Sequence, residues 1–147
     1  MTLFLITFIT IAGFIIGLGA VTVIDLHGFL GRNSSYWTEA TIRTHKITKP
    51  LIWVGITLVL LGTLFAGYHH SINFEVMFAR VILIIIMIAN GCFLSFVISP
   101  DLINREREGR EKEILPLSMQ RKITVSFLIS FITWWGLLAW TLWSITL

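Results

Sequence analysis

Hydrophobic residues fall into four long runs, and the stretches between them hold most of the charge. The runs cover about residues 3–24, 51–67, 76–99 and 123–147. An α-helix rises about 1.5 Å per residue, so about 20 apolar residues cross a hydrocarbon core of about 30 Å. The pattern predicts an all-α, polytopic membrane protein with four transmembrane helices in an antiparallel bundle. Residues 1–147 then form a single domain.

Composition supports this membrane class. Hydrophobic residues make up 56% of the chain and charged residues 13%, about half of the charged share usual in soluble domains. No basic residue precedes the first run, and no small-residue cleavage site follows it before Asp25. We therefore expect a retained first span and not a signal peptide. The lone cysteine, Cys92, cannot form an intramolecular disulfide.

The charges of the loops predict the orientation. Residues 25–49 and 100–122 together hold ten of the eleven lysines and arginines, whereas residues 69–75 hold none. The positive-inside rule places the two basic loops in the cytoplasm and both termini outside. The net charge of +3 is explained in this way. We therefore predict a lipid bilayer as the surrounding partner, and no nucleic acid.

Polar residues in the loops show helical spacing. Thr38, Ile42 and His45 lie at i, i+4 and i+7, which predicts an interfacial helix leading into the second span. In the third loop, Pro100 is expected to end the spanning helix. Beyond it, two acid-first i,i+4 pairs, Glu106 with Arg110 and Glu108 with Lys112, predict a charged cytoplasmic helix.

Small residues and tryptophans predict how the spans pack and where they meet the interfaces. Small residues let membrane helices approach closely, and tryptophans favour the membrane–water interface. The expected packing positions are Gly13, Gly17, Gly55, Gly62, Ser126 and Ser130, and the expected interface anchors are Trp37, Trp140 and Trp143. The packing positions suit either contacts inside the bundle or a homodimer seam.

Three polar residues in the third span require an explanation, since polar groups inside a membrane are costly. Arg80 is about one turn inside the span, Asn90 is deeper, and Ser95 follows it. In one interpretation they line a pocket for an anionic or quinone-like ligand. In the other, Arg80 extends to the outer interface and Asn90 forms a hydrogen bond with another helix.

Asp25 and two histidines are predicted at the cytoplasmic end of the bundle. Helix ends of this polarity disfavour a carboxylate, so we expect an ion pair between Asp25 and a nearby cation. The candidate cations are Lys46, Lys49, Arg121 and Lys122. His27 and His45 are expected at one membrane level, where they are candidate ligands for haem or, with Asp25 or Glu39, for a transition metal. His69 and His70 form a second candidate metal pair in the outer loop.

The third span also carries a resemblance to a known family. Arg80 opens a long apolar run that continues to Asn90-Gly91, and Pro100-Asp101-Leu102 follows the span. This pattern resembles small bacterial four-helix membrane proteins of the copper-resistance and protoporphyrinogen-oxidase type. The resemblance implies the four-helix architecture, a bacterial cytoplasmic membrane and a test for haem. It supplies no catalytic residue.

Three functions follow as hypotheses. The first is a non-catalytic accessory subunit that binds other membrane proteins or itself, because the chain shows no nucleophile–base arrangement. The second is a haem- or metal-binding redox protein. The third is a small oligomeric transporter or channel that uses Arg80 and Asn90.

Overall fold

The computed structural model describes residues 2–69 and 73–144, except for the side chains of Thr2 and His69, and every regular element in these ranges is helical. The elements are α1 (Thr2–Leu30), α2 (Ser35–His69), α3 (Phe74–Phe93), a π-helical turn (Leu94–Ile98), α4 (Ser99–Arg107) and α5 (Leu117–Trp143). The π turn joins α3 to α4 without a break. The described residues thus contain four helical units that are long and apolar enough to cross a membrane, which confirms the predicted all-α class and the four candidate spans.

The helices extend well beyond the predicted spans. Helix α1 continues into the predicted first loop and ends at Leu30. Helix α2 begins within that loop, at Ser35, so Pro50 lies inside α2. The apolar pattern marks the part of a helix that lipid covers, whereas backbone hydrogen bonding continues into the polar interface. Threonines of this polar extension bond to their own helix: Thr41 donates to the carbonyl one turn back, that of Trp37, at 2.7 Å.

Pro100 does not end the third helical unit, which continues to Arg107. The π turn accommodates the proline. In this turn the Ser99 N–H donates to Leu94 O, a bond that spans five residues instead of four. Proline has no N–H of its own. In the π turn, the donor for the Ser95 carbonyl would be the N–H of residue 100. Because that residue is proline, the Ser95 carbonyl has no donor from its own helix.

The charged segment after α4 also differs from the prediction. Helix α4 ends at Arg107, and Gly109 takes a left-handed φ of 68°, which is typical just beyond a helix end. Neither predicted i,i+4 pair forms. Glu106 instead pairs with Lys46 of α2 at 2.7 Å, and Arg110 forms ion pairs with Glu108 and with Glu113.

Helices α1 and α2 approach closely through glycines. A Cβ placed on Gly55 would lie 2.6 Å from the backbone nitrogen of Gly17 and 2.9 Å from the carbonyl oxygen of Gly13. A Cβ on Gly62 would overlap the side chain of Thr10. The predicted packing glycines are therefore in contact inside the chain, which is the first of their two expected uses.

Two apolar clusters form the core. The central one includes Phe14, Ile84, Trp134 and Leu137, and the indole ring of Trp134 packs over Gly17. The second cluster lies at the end that carries the basic loops, and consists of Ile42, Ile98, Leu102, Leu115 and Met119. A cavity with several polar residues in its lining lies beyond the central cluster on each side.

Candidate functional site

A cavity of about 60 Å³, with a mostly apolar wall and several polar residues in its lining, lies between all four helical units on the side of the basic loops. Helix α1 contributes Asp25, α2 contributes Thr41, His45 and Lys49, and the π turn contributes Ser95. Apolar residues, among them Ile52, Leu102 and Ile123, complete the wall. We call this space the basic-end cavity.

Asp25 is the central group of the basic-end cavity. Its Oδ2 atom is buried and has no hydrogen-bond partner in the described part of the chain, and no cation there forms a salt bridge with it. The expected ion pair is therefore wrong. Lys46 is engaged by Glu106, and Lys49 is directed towards the π turn. A carboxylate oxygen that is buried without a partner is costly and requires a functional or structural explanation.

Lys49 occupies the position that the π turn leaves open. Its ammonium donates to the carbonyl oxygen of Ser95 and to the hydroxyl of Ser99, each at 3.4 Å. The first of these bonds supplies the donor that Pro100 cannot provide. On the neighbouring turn of α2, the indole N–H of Trp53 donates to Ser95 Oγ at 3.1 Å. Two side chains of α2 thus hold the π turn in place.

The histidines predicted to act together have different environments. His45 lines the basic-end cavity, and its Nε2 atom is buried without a hydrogen-bond partner in residues 2–69 and 73–144. The ring of His27 packs on Trp37 instead, with centroids 5.2 Å apart, and does not line the cavity. Glu39 forms an ion pair with Arg43 at 2.6 Å.

These positions bear on the predicted metal and haem sites. In the part of the chain that the structure describes, no three or more His, Cys, Asp or Glu side chains are grouped so that they could hold a metal ion. His70 and the side chain of His69 lie outside the described residues. The basic-end cavity, of about 60 Å³, is smaller than the usual ligand pocket of about 300–1,000 Å³.

Asn90 connects α3 to α5. Its Nδ2 donates to Ser130 Oγ at 2.8 Å and to the Ser126 carbonyl at 3.1 Å, and its Oδ1 accepts from Ser126 Oγ at 2.7 Å. The amide therefore has hydrogen-bond partners on both sides. Asn90 and the two predicted packing serines form one interhelical contact, as the second interpretation of Asn90 expects.

Arg80, Asn90 and Ser95 do not share a pocket. Arg80 lines a second cavity at the opposite end of the bundle, and Ser95 lines the basic-end cavity. Trp140 donates its indole N–H to the Val76 carbonyl at 3.3 Å. The rings of Trp140 and Trp143 lie 5.0 Å apart, near that second end.

Sequence reasoning named Lys49 only as a candidate partner of Asp25, and it did not name Trp53 as a site residue. The sequence signal for Lys49 is indirect. Its ammonium donates to the Ser95 carbonyl, which lies on another helical unit and lacks a donor because Pro100 has no N–H. Comparisons with protein-family models, curated proteins and solved structures find no match to this chain. The site therefore has to be interpreted from its own geometry.

Proposed function

We propose that the chain is a multi-pass protein of a cell membrane, with its four helices antiparallel, the basic loops in the cytoplasm and both termini outside. Four apolar helical units support the membrane location. The distribution of lysine and arginine supports the orientation.

Single cysteines test the orientation. In a Cys92→Ser background, Ser118→Cys lies on the exposed surface of the basic end and Glu75→Cys on that of the other end. A membrane-impermeant maleimide applied to intact cells should label position 75 and leave position 118 unlabelled until the membrane is opened. The reverse pattern would contradict the orientation.

We further propose that the protein is a proton-binding membrane module, and that the basic-end cavity is its hydrated, proton-exchanging site. One observation carries the proposal: Asp25 Oδ2 and His45 Nε2 are buried without partners in the described chain, and both residues line one cavity. Carboxylates and histidines inside membranes commonly bind or relay protons. Neither atom has a hydrogen-bond partner in the described chain, and a water molecule could provide one.

The cavity is large enough to hold water, and several polar side chains line its mostly apolar wall. A buried water molecule needs a space of about 10–15 Å³ and two to four polar partners. A cavity of about 60 Å³ therefore has room for water. Asp25, Thr41, His45, Lys49 and Ser95 provide the polar partners. Water in the cavity would connect the carboxylate to the imidazole.

The packing in the middle of the bundle favours proton binding over conduction across the membrane. The central cluster, with Phe14, Ile84, Trp134 and Leu137 each at most 4% exposed, lies between the basic-end cavity and the cavity at Arg80. Apolar side chains at native packing density leave no continuous path for water. A proton-binding role is therefore better supported than the channel or transporter hypothesis.

Infrared difference spectroscopy tests the proposal. Protein reconstituted in phosphatidylcholine bilayers would be compared between acidic and alkaline buffer, in H₂O and in D₂O. We expect a protonated-carboxyl C=O band that shifts in D₂O, disappears in Asp25→Asn and changes its pH midpoint in His45→Gln. Asp101→Asn removes an exposed acid on α4 and serves as the matched control.

The outcome of that comparison is decisive. A band that survives Asp25→Asn would show that another carboxyl group titrates and would refute the site. A band that is absent from the wild type over the accessible pH range would refute proton exchange at Asp25. Loss of the band in Asp101→Asn alone would identify the exposed Asp101 of α4 as the titrating group.

The predicted accessory role and the predicted haem or metal binding remain hypotheses beside this one. Self-association through the α1 glycines is less favoured, because Gly13 and Gly17 already contact α2. Native co-purification tests for partner proteins. Reduced-minus-oxidised absorbance spectra with metal analysis test for a cofactor, and also test the resemblance to the haem-binding family.

A further inference from the structure

A second cavity, of about 270 Å³, lies at the end of the bundle opposite the basic loops. We call it the Arg80 cavity. Its polar lining consists of Arg80, four threonines (Thr7, Thr10, Thr63 and Thr141) and Ser144, and its remaining wall is apolar. It is separate from the proposed proton site, because the central apolar cluster lies between them.

Arg80 is a buried cation without an anion. The residue is 7% exposed, so neighbouring helices cover most of its side chain. One terminal nitrogen donates to Ser144 Oγ at 2.5 Å. Its Nε is buried without an acceptor, and no carboxylate pairs with it in the ranges the structure describes.

The cost of this arrangement suggests a missing ligand group. A buried charge is normally paired or coordinated, since desolvation without a partner is expensive. A guanidinium has five N–H donors in a planar fork that matches a carboxylate or phosphate. The Nε–H of Arg80 can therefore donate to an anionic oxygen that enters the cavity.

The rest of the lining indicates what the anion is attached to. Ile6, Ile11, Phe14 and Leu138 provide an apolar wall beside the guanidinium. Leu3 and Leu142, at the rim, are 58% and 54% exposed, so the cavity opens towards the surface that faces lipid. A ligand with an anionic head and an acyl chain can place the head at Arg80 and its chain along this wall.

We propose that the Arg80 cavity binds the anionic head group of an acyl-chain lipid that enters from the surrounding membrane. The volume of about 270 Å³ is near the lower end of ligand pockets. It accommodates the head and the first part of a chain, and the remainder of the chain lies in lipid. Fatty-acid carboxylates and phospholipid phosphodiesters both have this chemistry.

A fluorescent fatty acid tests the proposal. The protein would be placed in nanodiscs of zwitterionic phosphatidylcholine, and energy transfer from its tryptophans to cis-parinaric acid would be titrated. We expect saturable binding that is at least about tenfold weaker in Arg80→Gln, because hydrogen bonds to a charged group are lost. Arg121→Gln, which removes an exposed arginine at the other end, should leave binding unchanged.

A methyl-ester control and displacement experiments identify the head group. The methyl ester of the same acid lacks the charge and should not bind saturably. Displacement by oleate alone would identify a carboxylate ligand, and displacement by phosphatidylglycerol would identify a phosphodiester lipid. Both results support the proposal. Displacement by inorganic phosphate would indicate a free-anion site and overturn it.

Equal binding of the acid by wild type and Arg80→Gln would also overturn the proposal, as would equal binding of acid and ester. If Arg80→Gln does not fold, Ala66→Phe fills the cavity from α2 and leaves the arginine in place. Binding of the acid should then be lost while the protein remains monodisperse. Unchanged binding in this variant would place the lipid elsewhere.

Discussion

Replacing Gly55 by alanine tests how closely α1 and α2 must approach. The added Cβ would lie 2.6 Å from the nitrogen of Gly17 and 2.9 Å from the carbonyl oxygen of Gly13. Both neighbours are backbone atoms, so no side chain can rotate to make room. Ordinary contacts of this kind are about 3.5–4 Å long. The two helices must therefore separate by roughly 1 Å.

This separation gives the expected magnitude. A gap of 0.5–1 Å forfeits about a quarter to a half of each atom–atom attraction of about 0.1–0.2 kcal/mol. If the seam contains on the order of 40 atom pairs, as many as one buried leucine makes, the loss is about 2 kcal/mol. That value lies within the usual cost of overpacking, about 1–3 kcal/mol.

Gly19→Ala is the matched control for this prediction. Gly19 lies on α1, and nothing lies within 4 Å of the position of its Cβ. Both substitutions gain the same intrinsic helix propensity, up to about 1 kcal/mol. The difference between the two variants therefore isolates the packing cost, and we expect it to be about 2 kcal/mol.

Titration with sodium dodecyl sulfate in mixed micelles, followed by far-ultraviolet circular dichroism, measures the free energy of unfolding of each variant. Gly55→Ala should unfold at a lower detergent fraction than the wild type, and Gly19→Ala at an equal or higher one. Equal free energies of unfolding for the two variants would refute the close α1–α2 approach.

Three further predictions use the same titration. Asn90→Leu should lower the free energy of unfolding by about 1–2 kcal/mol, because interhelical hydrogen bonds average about 0.6 kcal/mol each and three are lost; an unchanged value would contradict this contact. Glu106→Gln should cost under about 1 kcal/mol and less in high salt, since its partner Lys46 has a side chain 53% exposed. Lys49→Met should cost about 1–3 kcal/mol by leaving the Ser95 carbonyl unpaired, whereas Lys49→Arg should retain most of the stability.

Much of the fold could be predicted because lipid imposes a simple rule. Backbone groups in hydrocarbon must be satisfied within the helix, so runs of about 20 apolar residues identify the spans. The helix ends could not be predicted in this way. Residues 35–49 are polar yet helical, because their backbone groups are hydrogen-bonded within the helix whether the side chains face lipid or water.

The candidate site was only partly predictable. Asp25 and His45 stand out as ionisable residues near the ends of apolar runs, and both line the basic-end cavity. Their partners depend on rotation about the helix axis, which composition does not reveal. His27 is two residues from Asp25 and faces Trp37 instead. Lys49, one of the four cations considered for Asp25, donates to the π turn.

The π turn also changes the spacing of the buried positions along the third helical unit. Buried positions before it fall at Arg80, Ile84, Met87 and Asn90, with steps of three or four, and the next buried position is Ser95, five residues further on. In a regular α-helix, one extra residue would rotate everything beyond it by about 100°. The π turn takes up the extra residue in a wider turn, so Ser95, Ile98 and Leu102 remain on the buried side. A residue inserted in α4 without such a turn would instead rotate Glu106 away from Lys46 of α2. The bilayer sets the length of this helical unit, and the π turn keeps its buried face continuous.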